Sequence, residues 1–285
     1  MTRRTLLGRG LAGTGLALLL HGGYYAVQWY REDRIIDGRM LTQVTSVPPE
    51  QRLEHSLRVA FNIPPHKSPA PAPDYRLANP LLKVLGPPAS RIYESGGHCG
   101  RRARLLIVLL GKQGIPARKI HLVNQNYARF GHASEYVHAV VEAKVQDRWI
   151  VLDPLYNIIY RRRDGSYATL EEIRADSQVF QRGLASADTT FSPYYPTLYT
   201  FGDYRKFLWS SIPGGRSVYD LVAGAIGPDR AREIPTPLML ETPYPTLVLI
   251  SLSGALVALA GWVFLVVGPI RRRAPAPLPF PARTS

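Results

Sequence analysis

The apolar residues of the central stretch change period once, and that change sets the class of fold. After the run Gly96-Gly97-His98-Cys99-Gly100, the residues Ala103, Leu106, Ile107 and Leu110 recur at helical spacing. Leu105, Val108 and Leu109 widen the stripe, which predicts a helix buried on most of its sides. Gly114 and Pro116 suit its C-terminal end. Residues 118–124 then predict a strand. Residues 135–145 alternate like a half-buried strand, Gln146-Asp147 predicts a turn, and residues 148–153 predict the next strand. One buried helix running into antiparallel strands predicts an α+β domain.

The two ends of the chain read differently. Residues 246–268 carry no charged side chain, are long enough to span a hydrocarbon core, and are followed by Arg271, Arg272 and Arg273. Near the other end, Arg3, Arg4 and Arg9 precede a stretch from Gly10 to Tyr30 without Asp, Glu, Lys or Arg. Residues 1–30 therefore predict a signal anchor or transmembrane helix, with a cleaved signal as the alternative. The opening Thr2-Arg3-Arg4-Thr5-Leu6-Leu7 also resembles a twin-arginine export signal. The net charge is +14, and seven arginines in the two terminal stretches carry half of it. Basic residues flanking apolar runs point to a bilayer and exclude nucleic acid as the expected partner. Arginines before the first run and after the second place both ends in the cytoplasm and the middle of the chain on the periplasmic, extracytoplasmic side of an inner membrane.

Between these ends the chain divides by composition. Residues 31–90 form an N-terminal extension, with a short helix expected over 50–60 and a Pro- and Ala-rich linker over 63–80. Residues 91–185 hold the expected core. Residues 186–245 form an aromatic-rich extension in which Phe191, Tyr194, Tyr195, Tyr199, Phe201, Tyr204, Phe207 and Trp209 crowd together. Residues 246–268 are the second span, and 269–285 a cytoplasmic tail. Arg161-Arg162-Arg163 reads as a solvated turn.

Cys99 is the only cysteine, so no intramolecular disulfide can form. A reactive thiol needs a helix N-terminus that favours the thiolate, a histidine that reaches the sulfur, and a carboxylate or amide that orients the imidazole. Cys99 begins the expected helix, His138 lies on a strand, and Asp153 ends the next strand of the same hairpin. A hairpin can bring His138 and Asp153 side by side. The plainer readings are an inert buried thiol, a hydrogen-bonded sheet histidine and an aspartate that merely ends a strand. His98, His121 and His132 accompany Cys99, but no Cys-x-x-Cys or His-x-x-x-His spacing supports a metal site.

Two segments carry a family resemblance. GHCGRRARLLIVLLGKQGIPAR resembles the stretch of the transglutaminase-like superfamily in which Gly-x-Cys opens the central helix. HAVVEAKVQDRWIVLDPLYN resembles its second half, with the aspartate fifteen residues after the histidine. Residues 207–213 are similar to a tail segment of bacterial membrane-bound members. The resemblance implies a papain-like α+β core, its central Cys helix packed on an antiparallel sheet, here flanked by transmembrane helices. It implies Cys99 as nucleophile, His138 as base and Asp153 as orienter, with no cofactor and no metal. The Cys99 backbone N–H would be one oxyanion donor. Members that use an upstream tryptophan as second donor have no counterpart here, because Trp29 lies in the first apolar segment; Tyr93 is the substitute. The implied activity is acyl transfer or amide hydrolysis through a Cys thioester, with an envelope peptide or protein as substrate and the lipid bilayer as a second partner. The alternatives are a thiol protease with the same triad and an inactive scaffold for envelope assembly partners.

Overall fold

The computed structural model describes residues 3–64, 85–123, 137–187, 214–232 and 234–271. The Pro-rich linker beyond Pro64, the polar loop with His132, the aromatic cluster at 191–209 and the segment 207–213 lie outside the described residues. Contacts divide the chain into two units, 1–29 with 244–285 and 30–243.

The first unit pairs two helices, α1 (Arg3–Ile35) up to Trp29 and the helix Pro243–Arg271 from Tyr244 onward. Small residues let the backbones approach: Gly15 lies against Ala258, Gly22 against Ser251, and Leu18 against Gly254. His21 Nδ1 lies 2.8 Å from Ser251 Oγ, which itself donates to the Leu247 carbonyl. The outward residues Leu16, Leu20, Leu256 and Val257 are exposed. Among the described residues, Pro243–Val266 is the single helix long and apolar enough to cross a membrane by length and composition.

The second unit is a mixed helix and sheet domain, which makes the chain an α+β protein. After a π-helical stretch (Ile36–Leu41) come α2 (Thr42–Thr45), α3 (Arg52–Phe61), α4 (Ala89–Ser95) and α5 (Cys99–Lys112). Four antiparallel strands follow in meander order: β1 (Ala117–Val123), β2 (Val137–Val145), β3 (Arg148–Asp153) and β4 (Ile158–Ile159). The helices α6 (Leu170–Ala175), α7 (Ser177–Ala185), α8 (Gly215–Ile226) and α9 (Pro228–Arg232) complete it, and the Pro243–Arg271 helix is α10.

The sheet is buried on both faces. Ala139, Val141, Ala143, Ile150 and Leu152 meet Leu105, Leu106, Leu109 and Leu110 of α5, together with Leu53 and Leu57 of α3. Ile120, Leu122, Val140 and Val151 meet Tyr160, Leu170, Ile173 and Val179 in a second cluster. Alternate residues thus serve alternate faces, as the period of two requires. The helix expected at 50–60 is α3, and it belongs to the same core as α5 because its apolar face has nowhere else to be buried.

Register is held at the hairpin and by one ladder of side chains. Gln146 and Asp147 both take positive φ, 48° and 62°, which closes a two-residue turn with Val145 opposite Arg148. Arg118 pairs with Glu142 directly across β1 and β2, at 2.7 Å, and its guanidinium lies 4.1 Å from the Trp149 ring centroid on β3. Glu142 is fully buried, so this pair binds the register tightly. A slip of one residue would send every β2 side chain to the wrong face.

Candidate active site

The site is built at the N-terminus of α5 and at the adjacent end of the sheet. Helix α4 ends at Gly96, whose φ of 72° suits glycine, and whose N–H donates to the Ile92 carbonyl. At Gly97 there is no room for a side chain, since an added Cβ would sit 2.5 Å from Arg101 Cβ. His98 then takes the N-cap position of α5 with extended backbone and without a capping hydrogen bond from its side chain, and its carbonyl accepts from the N–H groups of Arg101 and Arg102. The N–H groups of Cys99 and Gly100 fall in the first turn, where no intrahelical acceptor exists, and they favour negative charge there.

Arg102 locks this turn from inside. It is 1 % exposed. Its Nε donates to the Gly97 carbonyl at 3.0 Å, Nη2 to Ile63 at 2.8 Å, and Nη1 to the carbonyls of Ala60 and Phe61. One guanidinium therefore satisfies the C-terminal carbonyls of α3 and fixes the loop that presents Cys99. A charged residue inside the apolar stripe gave no sign of this role in sequence, because its four acceptors come from segments about forty residues away and from the loop five residues before it.

His138 and Asp153 are both buried, at 1 % and 0 % exposure. Pairing of β2 with β3 stops at Val141 opposite Leu152, so His138 lies beyond the paired stretch. There His138 Nε2 meets Asp153 Oδ2 at 2.7 Å. Asp153 Oδ1 accepts from the backbone N–H groups of Leu155 and Tyr156, at 3.0 and 3.3 Å, which fixes the carboxylate. The Tyr156 ring packs on the imidazole with centroids 5.6 Å apart. Tyr156 was not foreseen from sequence as a neighbour of the site; only its place three residues after Asp153 hinted at it. With Nε2 engaged, Nδ1 is the ring nitrogen left for the sulfur. The Cys99 thiol, half-buried, is hydrogen-bonded to His138 and receives the N–H of Ala139. The structure thus brings Cys99, His138 and Asp153 together.

The electrostatics follow from this packing. Burial pushes the Cys99 thiol up, but the hydrogen bond and charge of His138, with the Ala139 N–H, outweigh it and leave the thiol below its ordinary value. Burial pulls His138 down, whereas Asp153 and the sulfur overcome it and push the imidazole up to about 10. Both shifts favour a thiolate–imidazolium pair. The sign is definite on each side. The thiolate is lost as pH falls through the lowered Cys99 value, and the imidazolium is lost as pH rises through about 10.

Two neighbouring features complete the picture. Tyr93, the substitute oxyanion donor expected from sequence, accepts a hydrogen bond at its hydroxyl from Gln43 Nε2 at 3.0 Å and packs against the same cluster as Cys99. Lys119 of β1 and Arg104 of α5 both hold Glu241, at 2.6 and 3.1 Å, and all three are buried. The backbone of Thr236 adds a bridge to Lys119, so residues 236–241 clasp β1 and the Cys99 helix together. Among the described residues no cluster of His, Cys, Asp and Glu is placed to hold a metal ion.

No curated protein and no solved structure matches the chain. Residues 73–154, which take in Cys99, His138 and Asp153, match the model of the transglutaminase-like superfamily.

Proposed function

We propose that this chain is a membrane-anchored cysteine enzyme that performs acyl transfer or amide hydrolysis through a Cys99 thioester, on an envelope peptide or protein. The observation that carries the reading is the meeting of three groups: a thiol at a helix N-terminus, an imidazole hydrogen-bonded to it, and a buried carboxylate on the far ring nitrogen. Cys99 attacks an amide carbonyl as the thiolate. The Cys99 N–H steadies the oxyanion. His138 gives its proton to the departing amine, which leaves an acyl thioester. An incoming amine or water, deprotonated by His138, then releases the acyl group and regenerates the thiol. Asp153 keeps the ring turned toward the sulfur throughout.

Purified full-length chain, incubated with an acyl donor and a labelled primary amine, separates crosslinking from hydrolysis and cleavage. Incorporation of the amine supports transfer, whereas peptide cleavage without incorporation supports a protease. Absence of any covalent adduct at Cys99 would leave the inactive scaffold. The pH dependence is a sharper test. Alkylation of Cys99 by iodoacetamide should show its inflection below the free-thiol value of about 8.5. Turnover should rise through that same inflection and fall as the pH passes about 10, where the imidazolium loses its proton. In His138→Ala the alkylation inflection should move up, because burial is then opposed only by the Ala139 N–H and the helix N-terminus. An unchanged inflection in that variant would mean the thiol and the imidazole do not interact.

The membrane part of the reading rests on the apolar α10 and on the arginines outside both apolar runs. Residues 31–245 are then periplasmic and both ends cytoplasmic. Reporter fusions after Gly165 and after Ser285 test it. A reporter at Gly165 that works only in the cytoplasm would remove the export claim, and an external C-terminus would remove the second span.

A further inference from the structure

The polar face of α3 and the facing wall of α4 enclose a cleft of about 410 Å³ that the thiol chemistry above does not use. His55, Arg58, Val59 and Asn62 fall at i, i+3, i+4 and i+7, so they share one side of α3 and its end, while Leu53, Ser56, Leu57 and Ala60 turn into the core. The floor is apolar, with Val59 and Ile63 buried at 6 % and 3 % exposure. Tyr93 forms the opposite wall.

The charge of this cleft has one sign. Among the described residues no acid lines it. The two nearest acids in sequence are committed elsewhere, Glu54 to Arg161 and Glu94 to Arg39. Arg58 has no ion-pair partner among the described residues, unlike Arg39 and Arg161. A guanidinium, an imidazole and an amide thus converge over an apolar floor, which is the chemistry that receives a carboxylate on a short aliphatic stem.

One side chain links the cleft to the loop that carries Cys99. Arg102 holds the carbonyl of Ile63, in the cleft floor, and that of Gly97, two residues before Cys99, with one guanidinium. Two hydrogen bonds from one planar group keep these two carbonyl oxygens within about 8 Å of each other, and Gly97 is two residues before Cys99.

We infer that this cleft is a substrate subsite that takes an acidic side chain of the acyl-donor peptide, with the carboxylate on Arg58. The inference rests on the thiol-enzyme reading for its purpose but not for its test. The test is binding of two blocked peptides, Ala-Glu-Ala and Ala-Gln-Ala, to the full chain in a neutral detergent, followed by saturation-transfer NMR. The Glu peptide should bind about fivefold tighter than its Gln twin, the size expected of one partly exposed ion pair. Arg58→Gln should erase that difference, and Arg58→Lys should keep most of it. Salt should weaken the Glu peptide alone. Equal binding of the two peptides by the wild-type chain, or a preference that survives in Arg58→Gln, would overturn the subsite. A separate measurement, the iodoacetamide rate at Cys99, should be the same in Arg58→Gln as in the wild type. An inert Cys99 together with the Glu preference would retain the subsite and sink the enzyme reading.

Discussion

Cys99→Ala should remove covalent labelling and turnover outright, since no second cysteine can stand in. His138→Ala should be nearly as damaging, because among the described residues His138 is the titratable side chain hydrogen-bonded to the thiol. Asp153→Asn is the informative variant. The amide has one oxygen, so it can accept from either the imidazole N–H or the backbone N–H groups of Leu155 and Tyr156, but not both. If the oxygen faces His138, the ring stays oriented and the rate falls modestly. If it faces the turn, its NH₂ meets Nε2, which must then carry the lone pair, and the tautomer is wrong for a thiolate pair. A serine triad loses about 10⁴ on the equivalent change. The loss here should be smaller, because the thiolate itself supplies the negative charge opposite the imidazolium. Double variants should cost little more than Cys99→Ala alone, as a unit fails together. Labelling and turnover of each purified variant, with circular dichroism as a check of folding, measure this. Additive losses at all three positions that track lost stability would mark them as packing residues.

The largest effect on stability should come from Glu241→Ala. Glu241 is 2 % exposed and is shared by Arg104 and Lys119, so its removal leaves two buried cations without their anion. Burial pushes the Glu241 carboxyl up, yet the charges of Lys119 and Arg104 hold it below its ordinary value. Burial, with the charge of Arg104, pulls Lys119 down despite Glu241. Breaking such a pair costs about 3–5 kcal/mol. For a domain of this size that corresponds to a fall in melting temperature of roughly 10 °C. Replacing all three residues by apolar ones of similar volume should restore much of it, since the desolvation of the charges is then avoided. Thermal unfolding of the full chain in detergent reads both results. A shift in Glu241→Ala of under about 1 kcal/mol would show that water reaches the network. Arg104 also donates to the carbonyls of Pro87 and Leu240, so it ties two segments to the Cys99 helix, and its own replacement should be nearly as costly.

Much of the site was readable because its chemistry depends on local pattern. The apolar stripe of 103–110 gave α5, the Gly-Gly run gave its abrupt start, and Gln146-Asp147 gave the hairpin that sets His138 beside Asp153. Each of these follows from backbone and side-chain preferences within a few residues. The family motif added the roles, and its residues turn out to be physical partners: Arg118 of one segment, and Glu142 and Trp149 of the other, form a single ladder across three strands.

Other contributions came only from tertiary packing. Nothing near Arg102 in sequence says that it collects carbonyls from the end of α3 and from the loop before Cys99. Nor does the sequence say that Glu241, just before an apolar helix, is buried between Lys119 and Arg104. Except for Gly97, these partners lie dozens of residues or more away along the chain, and which charges are buried together depends on how α3, α5 and β1 close on one another. The sequence alone determined α3, α5, the strands β1 to β3, the hairpin turn and the three candidate groups of the thiol site, because those are local preferences and spacings. The tertiary structure alone decided which charged residues lose their water and which carbonyls they must satisfy, because desolvation is a property of the assembled core.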